Sequence, residues 1–197
     1  MTPNHTIPDR ITNEARKALS HYPELEQIPI EFRFKKKIRK SFMQAQPLFP
    51  SLIKKREDRK YLILISNRME IEGHSFSIED MDSKVLIGWL GHELGHIMDY
   101  QCHSNIGLMV FGLRYLFQHS YLKEAERTAD RMAIEHGMHE YIMATKNFIL
   151  NHVHLSEKYK NRIRRLYMSP EEIVQMVNEL DQHEIKEKVR KELREEI

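Results

Sequence analysis

The amino-acid sequence predicts an α+β protein, with a small, mostly antiparallel sheet in its first third and a mainly helical body after it. Before residue 83, short apolar stretches either alternate with polar residues or are bounded by them, which is typical of strands. From Ser83 to the end of the chain, apolar residues recur at helical spacing, with breaks near Ser104, Gly137 and Ser169. This change of period separates a sheet region from a helical region.

We predict one helix and four extended segments in the first third of the chain. The helix covers residues 9–21 and ends before a proline, and the first strand covers 30–35, where apolar and charged residues alternate. Further extended segments are predicted over 41–46 and over 61–66, an apolar run bounded by polar residues. Residues 69–76 are predicted to form an edge strand with a bend at a glycine.

The helical region contains the most apolar run of the chain, residues 106–117. This run is shorter than the about 20 residues that cross a bilayer, and it includes Arg114. We therefore predict a buried helix there and no integral membrane segment.

A strong helix start near the C-terminus sets the predicted domain boundary. Ser169 is a suitable cap, Pro170 occupies the first helical position and Glu172 occupies the capping-box position. We predict one domain over residues 1–168, followed by a C-terminal helical extension over residues 169–197.

Composition and charge are those of a soluble globular protein. Hydrophobic residues make up 41% and charged residues 30%, and the formal net charge of +2 is too small to indicate nucleic-acid binding. Cys102 is the single cysteine, which excludes an intrachain disulfide and fits a reducing compartment. The N-terminal residues lack the apolar core of a signal peptide, so we expect a cytoplasmic protein.

The stretch GHELGH, residues 91–96, carries the strongest chemical signal. On a helix, His92 and His96 fall on one face, and Glu93 lies at its edge. Two histidines at this spacing can direct neutral imidazole nitrogens at one zinc ion, and the glutamate can take a proton from water that the ion activates. The composition gives about 0.08 chance matches to HExxH, so the motif needs support from its surroundings.

Three glycines lie beside the histidines on the same predicted helix: Gly88, Gly91 and Gly95. A glycine inside a helix costs about 1 kcal/mol relative to alanine. The stripe is explained if another backbone approaches the helix closely, so we predict tight packing next to the histidine face.

A third ligand is needed, because a catalytic zinc site has three protein ligands and an open position. The longer motif HExxHxxGxxH is excluded, since Cys102 stands where its last histidine would be. Glu126 is the better candidate, and Asp130, one turn later on the same helix face, can accept the ring N–H of a ligating histidine. An exposed, salt-bridged helix face is the usual interpretation of such a pair in isolation.

These motifs resemble those of the gluzincin metallopeptidases, especially the group of the CAAX prenyl protease and the HtpX-like enzymes. GHELGH matches HExxH, and ERTAD, residues 126–130, matches the second motif of that group, ExxAD. The resemblance covers about residues 28–166, and it implies a zincin-like helical body. It further implies His92, His96 and Glu126 as zinc ligands and Glu93 as general base.

The sequence departs from this family in two respects. Members often have a His-Pro pair ahead of an Arg-Ile pair, whereas Ser156-Glu157 precedes Arg162-Ile163 here. The residue that stabilises the transition state is therefore open, with His154 and Arg162 as candidates. The chain also lacks the transmembrane helices of the membrane members, so lipid-embedded substrates are not implied.

The leading functional prediction is a zinc metalloendopeptidase that acts on peptide or protein substrates. Zinc polarises the scissile carbonyl, Glu93 serves as general base, and residues 69–76 pair with an extended substrate. A latent enzyme is a second hypothesis, because residues 181–197 carry a narrow apolar stripe suited to docking on the body or on a partner.

Two alternatives to an enzyme remain at this stage. One is a non-enzymatic, zinc-stabilised module that binds anionic partners through the basic segments 35–40 and 158–165. The other is a metal-free packing helix, in which the residues of GHELGH contribute only to stability.

Overall fold

The computed structural model describes residues 5–36, 38, 41–71, 74–151 and 155–195. It confirms the predicted α+β class, since every described strand precedes residue 78 and helices make up most of the described chain after residue 82.

Four strands form the main sheet of the described chain: β1 (His5–Thr6), β2 (Ile30–Lys35), β3 (Met43–Pro47) and β4 (Tyr61–Ser66). Their spatial order is β1-β2-β4-β3, with β1 and β4 parallel to β2, and β3 antiparallel to β4. The mostly antiparallel sheet of the sequence prediction is therefore corrected to a mixed one. Alternation along a chain identifies strands but not their order, and here β4 enters between β2 and β3.

The segment predicted as one edge strand folds back on itself. β5 (Arg68–Ile71) and β6 (His74–Ser77) pair antiparallel as a separate two-stranded sheet, and Gly73 lies outside the described residues. The prediction of one edge strand over 69–76 was wrong, because the two halves of this segment pair with each other and not with the main sheet. At the main sheet, the edge strand nearest the helices is β3.

Seven helices follow the predicted helical pattern within the described residues. They are α1 (Thr12–Leu19), α2 (Ser83–Cys102), α3 (Asn105–Phe117), α4 (His119–Glu135), α5 (His139–Asn151), α6 (Glu157–Leu166) and α7 (Pro170–Glu195). The side chain of Asp82 caps α2 by accepting a hydrogen bond from the amide of Lys84 at 2.8 Å. α2 is the central element, because it packs against α1, α4, α5 and β3.

The glycine stripe of α2 marks the two closest helix contacts, as predicted. A Cβ atom added to Gly88 would lie 2.2 Å from the carbonyl oxygen of Tyr141 on α5. One added to Gly95 would lie 2.4 Å from the carbonyl oxygen of Ala129 on α4, whereas Gly91 faces a methionine side chain. Backbone atoms cannot yield as a flexible side chain can, so these glycines set the distances between α2 and its neighbours.

The apolar run 106–117 is helical, but the prediction of a buried helix was wrong. Among the apolar side chains of α3, Leu108 and Phe111 are buried. Hydropathy shows that a helix is apolar, not which of its sides has a partner. We name the outward side the α3 face, formed by the exposed residues Ile106, Met109, Val110, Leu113, Leu116 and Phe117.

None of the helices in the described part of the chain has both the length and the hydropathy of a membrane-crossing segment. This agrees with the prediction made from the length of the apolar run in α3.

α7 has two parts with different surroundings. At its start, Ser169 and Glu172 form the predicted capping box, with N···O distances of 2.8 and 3.2 Å, and the guanidinium of Arg127 on α4 binds Glu172. Ile173 is buried against the body. In contrast, residues 181–188 are exposed throughout, so this part of the apolar stripe does not dock on the described body.

Ile185 is 56% exposed, and the side chains of Val189 and Leu193 lie outside the described part of the helix.

Candidate metal centre

Three predicted ligands converge where α2 meets α4. His92 and His96 project from α2 and Glu126 from α4, and one possible ligand atom from each lies within 4.8 Å of the others. On each helix the ligand stands one turn before a contact residue, since Gly95 follows His92 and Ala129 follows Glu126 by three positions. The close backbone contact between Gly95 and Ala129 therefore holds the ligands of the two helices at a fixed separation.

The spacing of these donors fits a zinc ion. Zinc bonds of about 2.1 Å in a tetrahedral arrangement place neighbouring ligand atoms about 3.4 Å apart. The Nε2 atoms of His92 and His96 lie 3.2 and 3.7 Å from Oε2 of Glu126. All three residues are buried, with at most 7% of their surface exposed. Two imidazoles and one carboxylate are also the donor types that zinc prefers.

Asp130 fixes the orientation of His92. Its Oδ1 atom lies 2.9 Å from Nδ1 of His92, which leaves the Nε2 atom of that ring directed toward Glu126. Asp130 is fully enclosed. Nζ of Lys146 donates a hydrogen bond to its Oδ1 atom at 3.0 Å and forms an ion pair with Oδ2 at 2.8 Å, and Oδ2 also accepts a hydrogen bond from the amide of Met168 at 3.0 Å. The carboxylate thus has partners on both oxygens, as a buried charge requires.

Electrostatic coupling in the cluster shifts the pKa values of its members. Burial opposes the ionisation of Asp130, but the charge of Lys146 and the hydrogen bond to His92 outweigh it and lower the pKa of Asp130 to about 2. Burial likewise opposes a charge on His92, but its bonds to Asp130 and Glu126 raise its pKa to about 10. The carboxylates therefore create a position that favours a positive charge.

Glu93 lies beside the three donors without being one of them. Its side chain is 6% exposed, and its Oε2 atom accepts a hydrogen bond from the amide of Ala45 at 2.6 Å. Burial raises the pKa of Glu93. Because Ala45 belongs to β3, the edge of the main sheet reaches the cluster at this carboxylate.

Two further side chains join the cluster that the sequence did not indicate as functional. The hydroxyl of Tyr115 on α3 donates a hydrogen bond to Oε1 of Glu126, the oxygen not shared with the histidines. Lys146 on α5 lies 4.1 Å from the ring centre of Tyr167, whose ring is 5.5 Å from that of His92. Of these two, only Lys146 could have been predicted from the sequence. A lysine on the otherwise apolar inner side of a helix indicates that a buried anion lies opposite it.

Of the two candidates for stabilising a transition state, only Arg162 lies in the described part of the chain, and it is not brought to the cluster. His154 lies outside the described residues. Arg162 is half-buried on α6, and its guanidinium has no hydrogen bond or ion pair with the described part of the chain. On that helix Ile163 and Leu166 point into the core, so Arg162 lies on a different side of the helix.

Fold and site together define an α+β protein with a buried His-His-Glu cluster capable of holding a metal ion. No protein-family model, curated protein or solved structure matches this chain. The resemblance to gluzincins therefore depends on the two sequence motifs alone.

Replacing Lys146 by methionine is expected to destabilise the metal-free protein by about 3–5 kcal/mol, because it removes the lysine that balances the enclosed Asp130 carboxylate and leaves only His92, whose charge is shared with Glu126. Urea unfolding in the presence of a chelator measures this change. Lys123→Met, at an exposed position of α4, is the matched control and should stay within about 0.5 kcal/mol of wild type.

A double variant separates the charge effect from lost packing. Adding Asp130→Asn to Lys146→Met removes the unpaired charge and should recover part of the stability, which gives a favourable coupling energy between the two positions. Equal losses for Lys146→Met and Lys123→Met would contradict the role assigned to this ion pair.

Proposed function

We propose that this protein is a zinc metallopeptidase of the gluzincin type, which hydrolyses peptide bonds in peptide or protein substrates. The observation that carries the proposal is the convergence of His92, His96 and Glu126, with a fourth buried side chain, Glu93, beside them. When bound, zinc supplies a Lewis acid that polarises the scissile carbonyl and lowers the pKa of water.

Glu93 is the proposed general base. It follows the first ligand directly in the chain, so helix geometry places its carboxylate next to the donors rather than among them. It takes the proton from the attacking water and delivers it to the leaving amine. The hydrogen bond from the Ala45 amide holds the carboxylate in place through its Oε2 atom.

Asp130 and Lys146 are proposed to position the ligands. With its Nδ1–H donated to Asp130, His92 would lose the proton of Nε2 on binding zinc and would hold the ion through the lone pair of that atom. Lys146 balances the charge of Asp130, so that this carboxylate remains an acceptor rather than a competing ligand.

The substrate backbone is proposed to pair with the main-chain groups of β3, the edge strand that packs against α2. At Ala45 these groups are bound by Glu93 and by the hydroxyl of Tyr100, with N···O and O···O distances of 2.6 and 3.2 Å, so a substrate that pairs there would displace both side chains. β3 is proposed for this role in place of residues 69–76, because the two halves of that segment pair with each other.

The other hypotheses gain less support from the described contacts. For the module that binds anionic partners, three residues of the first basic segment, 37, 39 and 40, lie outside the described residues and so add no support. In the second segment, Lys160 and Arg164 already pair with Glu157 at 3.7 and 3.2 Å. For a latent enzyme, the exposed part of α7 supplies no described contact that covers the cluster.

Zinc content and cleavage measured on one wild-type sample test the proposal. We expect about one zinc per chain by elemental analysis, and cleavage of a peptide library that stops on chelation and returns when zinc is restored. Zinc without cleavage would reject the peptidase and keep the metal centre. Failure to retain zinc after reloading would reject both.

A further inference from the structure

The exposed apolar residues of this protein are concentrated on one surface. In the described part of the chain, ten large apolar side chains are exposed, and six of them form the α3 face. Two more, Phe49 and Ile53, lie in the loop 49–56, which is tied to the start of α3 by a hydrogen bond from Asn105 Nδ2 to the carbonyl of Lys54 at 2.8 Å. The remaining two are on α7.

The α3 face is a continuous side of one helix. Its members recur at intervals of three and four residues, from Ile106 to Phe117, while Leu108 and Phe111 hold the opposite side against the body. Leu116 and Phe117 are 73% and 81% exposed, so two large apolar side chains at the end of this helix are in contact with water. A contiguous apolar surface of this kind marks an interaction site rather than chance exposure.

Exposed cations lie at both ends of this surface. Arg114 is the single charged residue of α3, and the exposed cations 54–56 directly follow Ile53 in the neighbouring loop. Two exposed anions, Glu57 and Asp58, follow this loop in the chain, and Glu57 lies 3.9 Å from Lys55. At the other end of α3, the guanidinium of Arg165 lies 3.4 Å from the His119 ring. Cations therefore border the apolar surface at both ends.

An anionic phospholipid surface matches both properties at once. Acyl chains accept the apolar side chains, and the phosphate groups attract the bordering lysines and arginines. With its 13 residues, α3 is about 20 Å long, too short to cross a bilayer but suited to lying within its interface.

We propose that the α3 face and the loop 49–56 form a docking surface for an anionic phospholipid bilayer, with α3 parallel to the plane of the membrane. This inference does not depend on the proposed peptidase activity, since none of the contacting residues belongs to the cluster. The docking surface and the cluster are nevertheless in contact through α3, because Tyr115 on the inner side of this helix donates a hydrogen bond to Glu126.

Vesicle co-flotation tests the docking surface. Wild type is expected to float with vesicles of phosphatidylcholine and phosphatidylglycerol. Leu113→Asp combined with Leu116→Asp is expected to weaken this binding by about tenfold or more for each substitution. The matched control, Val174→Asp with Ile185→Asp, changes two apolar residues of α7 that are 52% and 56% exposed and should bind like wild type.

A second variant tests the electrostatic part without altering the apolar surface. Lys54→Gln with Lys55→Gln is expected to reduce binding to these vesicles by about fivefold for each charge. Binding to pure phosphatidylcholine should be weaker than to the mixed vesicles for wild type, and unchanged by this double substitution.

Three outcomes would overturn the proposal. They are the absence of wild-type binding to the mixed vesicles, equal losses for the α3 and α7 double variants, and charge substitutions without effect. A wild-type dimer that Leu113→Asp with Leu116→Asp dissociates, without vesicle binding, would assign the surface to a second copy of the chain instead. Thermal unfolding of each variant shows that the comparison concerns folded protein.

Discussion

Glu93→Gln is expected to leave zinc in place and to lower kcat/KM for peptide hydrolysis by about 10²–10⁴-fold. The amide has nearly the shape of the carboxylate, and its oxygen can still accept the hydrogen bond from Ala45. It cannot take a proton from water, so the variant removes the base and little else. Zinc content and kcat/KM should be measured on the same preparation.

Glu124→Gln is the control for this variant, since Glu124 is an exposed glutamate of α4 outside the cluster. It should retain both zinc and activity. Loss of zinc from Glu93→Gln would make Glu93 a ligand instead of a base. Retention of most activity would remove it from the mechanism.

Glu126→Gln is expected to lose zinc, which reduces the metal content from about one per chain to below about one tenth after dialysis. The substitution leaves two imidazoles and replaces the anionic donor by a neutral amide, a poor zinc ligand. Peptide hydrolysis should disappear with the metal. Elemental analysis beside Glu124→Gln, two positions earlier on the same helix, provides the direct comparison.

Two other results for Glu126→Gln would change the interpretation. A variant that retains zinc at the wild-type level would mean that another residue completes the ligand set. Unfolding of the variant by circular dichroism would show that the carboxylate is needed for the fold, and the assay would then be repeated with Glu126→Asp, which keeps the charge and shortens the side chain.

Local patterns in the sequence were enough to predict much of the site. His92, Glu93 and His96 share one helix, so their relative placement follows from helix geometry alone. The pair Glu126 and Asp130 was identified by the same argument on a second helix. Even the contact between these helices was indicated, because the glycines of α2 required a close neighbour.

Other parts depend on contacts between distant segments, which no local pattern encodes. Lys146 reaches Asp130 from α5, and Tyr115 reaches Glu126 from α3. The prediction of a mostly antiparallel sheet failed for the same reason, since β4 lies between β2 and β3, which are consecutive in the chain, and is parallel to β2. The exposure of α3 was missed because its apolar composition is equally compatible with a buried helix and with a surface that awaits a partner.

Burial of the cluster affects the rate at which a bound ion exchanges as well as its affinity. His92, His96 and Glu126 are each less than a tenth exposed, so a chelator reaches them only when the protein opens locally. α2 is packed on several sides and is held by Gly88 and Gly95, whereas α3 has an unpartnered outer side. We therefore expect the protein to open at α3. At high chelator concentration this opening limits the rate of metal release, so the half-time of release measures how often α3 moves away from the cluster.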